Sequence, residues 1–115
     1  MIKSFVFNLK QFREGIISSN ENGITLKLSF FSDESGFPYE YVFTKNTYSE
    51  KYLNMISYLL DRIYSAIKSG DPAFKLDFDK ANSLIYASEF IFDRVNVIRR
   101  NRDYSQVVRT EYKLS

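Results

Sequence analysis

The chain has 115 residues, a formal net charge of +2 and a hydrophobic fraction of 44%, which together favour a single folded domain over a disordered chain. It contains no cysteine and no histidine, so disulfide frameworks, thiolate nucleophiles, histidine bases and ordinary zinc sites are excluded. The amino-terminal apolar run is too short for a signal peptide, and no segment approaches the ~20 apolar residues of a membrane span. We therefore expect a cytoplasmic protein that has no membrane partner.

The first half of the sequence predicts a strand, a helix and a β-hairpin. The segment SFVFNL is rich in β-forming residues and places Phe5 and Phe7 on one face. A potential N-cap at Asn8 and apolar residues at helical spacing predict a helix over residues 9–19. The alternating segments ITLKLSFF and YEYVFTK then predict two antiparallel strands within residues 24–45.

The clearest element is a second helix, predicted over residues 49–69. Apolar residues recur along one of its faces, Thr47 is placed to act as the N-cap, and Gly70 is placed to end the helix. The segment AFKLDF follows and alternates as a short strand. Residues 79–93 allow a helix or a strand equally well, because their periodicity and their β-propensity disagree.

The last segment predicts a second β-hairpin over residues 94–113, turning at residues 101–103. The order of elements is therefore β-α-β-β-α-β, which is the ferredoxin-like order, followed by a C-terminal β-hairpin extension. We expect a single compact α+β domain that spans residues 1–115.

Arginine is unevenly distributed, since five of the seven arginines lie in the last 22 residues. That segment holds six basic and two acidic residues, whereas the 93 residues before it hold ten basic and twelve acidic ones. A guanidinium binds carboxylates and phosphates through paired hydrogen bonds that an ammonium cannot reproduce. The alternative is a solvated hairpin whose arginines pair with Asp61, Glu89 or Asp93. The predicted partner-binding residues are Arg94, Arg99, Arg100, Arg102, Arg109 and Tyr104. We expect Arg99, Arg100, Arg102 and Arg109 to be mostly solvent-exposed and not paired with internal carboxylates. Strand alternation is expected to separate Arg99 from Arg100.

Two aromatic segments suggest a nucleic-acid-binding module as the main alternative. SFVFNL resembles the first-strand motif of RNA-recognition-motif domains, and YEYV resembles their aromatic third-strand motif. The resemblance implies that Phe5, Tyr39 and Tyr41 stack on nucleobases. If these aromatic strands fill the core instead, Phe5, Phe7 and Phe43 are buried.

A more distant alternative uses acidic residues of the last hairpin. If the hairpin pivots on Arg102, Asp93 lies opposite Glu111, and Lys113 follows on the same face. This set resembles the Mg²⁺ site of metal-dependent nucleases of the PD-(D/E)xK type. Ordinary pairing between aspartate and arginine across the strands is the competing interpretation.

The favoured interpretation is a non-catalytic interaction protein of the accessory, inhibitor or immunity type, such as phages and other mobile elements encode. Its Arg-rich C-terminal hairpin is predicted to bind a macromolecule with an acidic surface, a protein rather than a nucleic acid, because Tyr and Arg are enriched in binding hot spots. We expect no cofactor, no metal and no catalytic residue. The sequence has no glycine-rich phosphate loop, and no nucleophile has a base at a recognisable spacing.

Overall fold

The structure is a computed structural model that describes residues 4–77, 92–101, 103 and 105–113, residue 77 through its backbone only. Most of the ambiguous segment 79–93, together with Arg102 and Tyr104, therefore lies outside the described residues. The elements are β1 (Ser4–Asn8), a 3-10 turn (Leu9–Gln11), β2 (Phe12–Asn20), β3 (Gly23–Phe30), β4 (Tyr39–Lys45), α1 (Glu50–Lys68), β5 (Ala73–Asp77), β6 (Arg94–Arg100) and β7 (Val107–Lys113).

The described strands form two antiparallel sheets. Five of them follow the order β2-β3-β4-β6-β7, while β1 pairs with β5 in a two-stranded sheet that we call the ribbon. Alternate side chains of the five-stranded sheet point to its inner face, where they pack against α1 and the ribbon. The remaining side chains of the same strands point to the opposite side, which we call the outer face.

The core between the inner face, α1 and the ribbon is rich in aromatic rings. Phe7 of the ribbon stacks on Phe30 at a ring-centroid distance of 5.9 Å, and Phe5 meets Phe43 edge to face at 5.9 Å. Such ring pairs contribute to stability beyond the area that they bury. The residues that α1 buries fully in this core are Ile56, Leu59 and Ile63.

The α+β class is confirmed, but the first predicted helix is wrong. Residues 9–11 form one 3-10 turn, which the Asn8 side chain caps, and the following residues form β2. A β-bulge between Phe12 and Glu14 shifts the register of β2, so Phe12 and Ile17 both face the core although they lie five positions apart. The bulge therefore gives a strand an apolar spacing that imitates a helix. The observed order departs from the ferredoxin-like order at this position.

The second predicted helix is confirmed, because α1 matches its predicted bounds within one residue at each end. The N-cap is Ser49 instead of the predicted Thr47, and the Ser49 hydroxyl accepts a hydrogen bond from the Tyr52 N–H at 3.0 Å. Gly70 ends the helix as predicted, with a φ of +80° and the two backbone hydrogen bonds of a Schellman motif. In the described part of the chain, no helix combines the length and the apolar composition that crossing a membrane requires.

Helix α1 packs directly on the edge strand β2 at Gly15. A Cβ atom at this position would collide with the Leu60 side chain, so the absence of a side chain lets the helix approach the strand. The Gly15 N–H donates a hydrogen bond to Tyr64 Oη at 3.2 Å. The helix thereby occupies part of one edge of the five-stranded sheet.

Candidate interaction surface

The predicted C-terminal hairpin is confirmed, with a different register. Its loop comprises residues 101–106, and the strands pair Arg94 with Lys113 and Asn96 with Glu111. The prediction that Asp93 lies opposite Glu111 is therefore wrong, because the loop is longer than a three-residue turn and its centre lies beyond Arg102. Each cross-strand partner is displaced accordingly.

Hydrogen bonds from short polar side chains stabilise the hairpin loop. Asn101 donates its backbone N–H to Gln106 O at 3.3 Å, and its side-chain oxygen accepts from the Gln106 N–H at 3.1 Å. The Ser105 N–H donates to Asp103 Oδ1 at 2.9 Å, and this bond holds the pKa of the fully exposed Asp103 below its usual value. The loop thus supplies the local bonds that close the hairpin.

Strand alternation divides the described arginines between two faces. Arg94, Arg100 and Arg109 lie at outer-face positions, since they are in register with Thr44, Pro38 and Ile98. Arg99 lies on the inner side, in register with Tyr39. The sequence predicted this separation of Arg99 from Arg100, and the structure confirms it.

The outer face carries more basic than acidic side chains. Lys27, between β2 and β4 in the sheet, extends the basic surface away from the hairpin, and Arg13 lines the same cleft as Lys27 and Arg100. The cleft has a volume of about 220 Å³. Among the described residues, the basic side chains of the outer face are Arg13, Lys27, Arg94, Arg100, Arg109 and Lys113. The acidic side chains of this face are Glu14, Glu40 and Glu111.

Three of the four described hairpin arginines form ion pairs within the chain, which corrects the expectation that these arginines stay free of internal carboxylates. Arg100 Nη2 donates to Glu40 Oε1 at 3.1 Å, and both side chains are largely shielded from solvent. Arg94 Nε lies 3.8 Å from Glu111 Oε1, and both of these side chains are about half exposed. The third pair joins Arg99 Nε to Asp33 Oδ2 at 3.7 Å.

Arg109 is the exception among the described hairpin arginines. It is exposed on β7 and has no ion-pair partner within the described residues. The Arg99 side chain also remains 62% exposed in spite of its pair with Asp33. Exposed pairs contribute only ~0–1 kcal/mol each to folding, so the half-exposed Arg94 can exchange Glu111 for a partner's carboxylate at little cost.

A polar cleft of about 450 Å³ lies where Arg99 meets the loop between β3 and β4. Tyr39, Tyr41 and Asp33 are among the residues that line it. Burial raises the pKa of Tyr39 to about 12, with Tyr41 and Asp33 adding to the shift and Arg99 opposing it. Burial also raises the pKa of Tyr41. Both tyrosines are therefore neutral hydrogen-bonding groups at physiological pH.

The rings assigned to base stacking belong largely to the core. Phe5 is 8% exposed and meets Tyr41 edge to face at 5.4 Å, so little of its surface is left for a nucleobase. Tyr39 is partly exposed, but one face of its ring is stacked on Phe30 at 4.7 Å. Phe5, Phe7 and Phe43 are all buried, as the core interpretation of these strands predicted.

The acidic residues proposed for a metal site form hydrogen bonds and ion pairs within the chain. The Asp93 carboxylate accepts a hydrogen bond from the Asn46 N–H at 2.7 Å and lies 3.8 Å from Lys45 Nζ. Glu111 pairs with Arg94. Within the described residues, no group of three or more acidic side chains is arranged to hold a metal ion.

Comparisons with known protein families, with curated protein sequences and with solved structures found no significant match. The surface is therefore interpreted from its own residues. Arg13 and Lys27 were missed as part of it, although the alternation of β3 already placed Lys27 away from the core. What the sequence could not show is that β6 pairs with β4 and so brings Lys27 onto the same face as the hairpin arginines.

Proposed function

We propose that this chain is a non-catalytic interaction protein that binds the acidic surface of another protein through the outer face of its five-stranded sheet. The observation that supports this function is the strand register, which joins Arg94, Arg100 and Arg109 to Lys27 on one face that neither α1 nor the ribbon covers. Basic side chains on a regular sheet are held at fixed spacings, which favours recognition of a patterned acidic surface.

The mixture of charges favours a protein partner over a nucleic acid. Glu40 and Glu111 lie among the basic residues and pair with two of the arginines. Interfaces with nucleic acids are much more uniformly positive and commonly add exposed rings for stacking. On this surface the acidic residues offer contacts to a partner's own lysines and arginines, which makes the recognition depend on the partner's charge pattern. An inhibitor or immunity-type protein is the class that such a surface would suit.

The proposal is tested by replacing the basic residues that can be removed without leaving a shielded carboxylate unpaired. The variant Arg13→Ala, Lys27→Ala, Arg94→Ala spares Arg100, whose removal would strand the shielded Glu40 carboxylate. Wild-type and variant chains are used as bait in pull-downs from a native lysate with and without nuclease treatment, and the affinity of the captured protein is then measured. We expect the triple variant to bind its partner ~10- to 100-fold more weakly, since interfacial charge pairs stabilise a complex measurably.

Arg99→Ala is the matched control, because Arg99 lies on the same strand as Arg94 and points to the other face. The shielded Asp33 carboxylate, which pairs with Arg99, still accepts hydrogen bonds from the Ser35 and Phe37 N–H groups in this variant. It should bind the captured protein as tightly as the wild type. Equal binding by the triple variant and the wild type would contradict the proposal. Capture that disappears on nuclease treatment, with an affinity that falls steeply as salt increases, would establish the nucleic-acid-binding alternative instead.

A further inference from the structure

Strand β7 forms one edge of the five-stranded sheet, and within the described residues no strand pairs with its outer side. The pairing with β6 is continuous and has no bulge. Val107 and Val108 are 53% and 62% exposed, which is a large exposure for apolar residues of a strand. Natural proteins usually protect such an edge with charged side chains, prolines, bulges or a covering element, because it is a template for further strand pairing. Strand β7 has charged side chains of both signs but neither a proline nor a bulge.

The free hydrogen-bonding groups of β7 follow from the pairing of its neighbours. Asn101 bonds to Gln106 across the hairpin, and Arg100 bonds to Pro38 on the other side of β6. Hydrogen bonds of an antiparallel sheet change sides with each residue. Residues 108, 110 and 112 therefore bond to β6, while residues 107, 109, 111 and 113 direct their N–H and C=O groups away from the sheet.

The sequence of β7, VVRTEYK, is complementary to itself in the antiparallel direction. If two copies are centred on Thr110, Arg109 of each copy lies opposite Glu111 of the other, and Val108 lies opposite Tyr112. The outward-directed backbone groups of residues 109 and 111 then face each other, as a hydrogen-bonded pair requires. Opposite charges and pairs of an aromatic with a β-branched residue both stabilise neighbouring strands.

Symmetric arrangements centred one residue away lack this match. Centring the pair on Arg109 or on Glu111 places like charges opposite each other at the two-fold axis, which is destabilising. The other edge of the sheet, β2, is interrupted by its bulge, and its Gly15 N–H already bonds to Tyr64. Glu111 can serve both Arg94 of its own chain and Arg109 of a second copy, since its side chain is 50% exposed and a carboxylate has two acceptor oxygens.

We propose that two copies of this chain associate through β7, antiparallel and centred on Thr110, so that their five-stranded sheets become one continuous sheet. Such an interface is isologous, because the same strand contributes to both sides of a two-fold axis. It also places the two outer faces side by side and so extends the basic surface across the pair. The association requires no third component, and it holds or fails independently of the proposed function.

The test is the oligomeric state of the purified protein, measured by sedimentation velocity from about 1 µM to about 1 mM, since small interfaces bind weakly. We expect the wild type to form dimers within this range. Arg109→Glu and Glu111→Arg should each weaken the dimer ~10- to 100-fold, because symmetry creates two repulsive contacts. An equimolar mixture of the two variants should dimerise again, since it restores opposite charges at both contacts.

Arg62→Glu is the matched control, because it makes the same change of charge at an exposed position of α1. It should dimerise like the wild type, and thermal unfolding should show that all variants are folded. The double variant Arg109→Glu, Glu111→Arg, which keeps the net charge, should also dimerise with itself. A wild type that stays monomeric, a dimer that neither reversal weakens, or a mixture that does not recover would each overturn the proposal.

Discussion

At the scale of single residues, the surroundings of Tyr39 raise the pKa of its hydroxyl group. Its ring is stacked on Phe30 with an interplanar angle of 4°, and the residue lines the same cleft as Arg99. Burial is the main reason that its pKa rises from 10.0 to about 12, and the negative charges of Asp33 and ionised Tyr41 act in the same direction. The folded chain therefore holds this proton more tightly than the unfolded chain does.

The first prediction concerns stability at alkaline pH. Because the pKa of Tyr39 is higher in the folded state, its contribution is fully present below pH 10 and is lost progressively as pH rises from 10 towards 12. Tyr39→Phe removes the ionisable group and keeps the ring, so this variant should lose less stability over that interval than the wild type. The measurement is thermal unfolding at a series of pH values, with tyrosinate absorbance reporting the ionisation itself.

Tyr58→Phe serves as the control for this prediction, because the Tyr58 side chain is 52% exposed on α1. Its loss of stability between pH 10 and 12 should parallel that of the wild type. If Tyr39→Phe also parallels the wild type, the burial of the Tyr39 hydroxyl has no thermodynamic consequence and the assignment of its shifted pKa is wrong.

At the scale of elements, α1 packs on the inner face of the five-stranded sheet and supplies part of the core. Leu59 and Ile63 are 0% exposed and face the inner side of the sheet. Leu59→Ala should lower the free energy of unfolding by ~2–5 kcal/mol, because it removes buried methyl groups and leaves a cavity. Tyr58→Ala, next to it on the solvent side, should cost less than ~1 kcal/mol. Denaturant unfolding of both variants gives the comparison, and equal losses would show that the apolar stripe of α1 does not face the core.

The elements that the sequence predicted well are those whose signals are local. The bounds of α1 follow from a regular apolar stripe and from Gly70, and β3 and β4 follow from strict alternation. The first helix was wrongly predicted because a bulge is invisible in a sequence and displaces the apolar positions of β2. The N-cap was predicted at Thr47 and lies at Ser49, because both residues have the hydroxyl side chain that a cap requires and the sequence alone did not distinguish them.

The candidate surface could be predicted only in part, for a related reason. Alternation separated Arg99 from Arg100, but their acidic partners, Asp33 and Glu40, come from a loop and a strand far away in the sequence. The choice of such partners depends on the order of strands in the sheet, and no local pattern encodes that order. The hairpin register depended on the length of a loop that hydrogen bonds of Asn101 and Asp103 define.

At the scale of the whole molecule, the ribbon and the sheet are held together mainly by rings. Phe5 contacts Tyr41 and Phe43 of β4 and Tyr112 of β7. Phe5→Ala should therefore destabilise the fold by ~3–5 kcal/mol, in the range for a buried phenylalanine. Val6→Ala is the matched control on the same strand, because Val6 is 61% exposed and points the other way.

Chemical denaturation with both variants checks this prediction, and Val6→Ala should lie within ~0.5 kcal/mol of the wild type. A Phe5→Ala chain as stable as the wild type would mean that the ribbon is not an integral part of the core. If that variant instead folded normally and lost affinity for RNA, the result would support the alternative that Phe5 stacks on nucleobases.

The pairing of β1 with β5 also decides when the chain can finish folding. The hairpins of β2 with β3 and of β3 with β4 join neighbouring segments, whereas β1 must wait for β5, which lies beyond five other elements. Contacts between distant segments slow folding, because the intervening chain loses entropy before it gains any contact. A nascent chain therefore exposes Phe5, Phe7 and the aromatic inner face until β5 has been synthesised. During that interval the exposed rings favour aggregation of the incomplete chain.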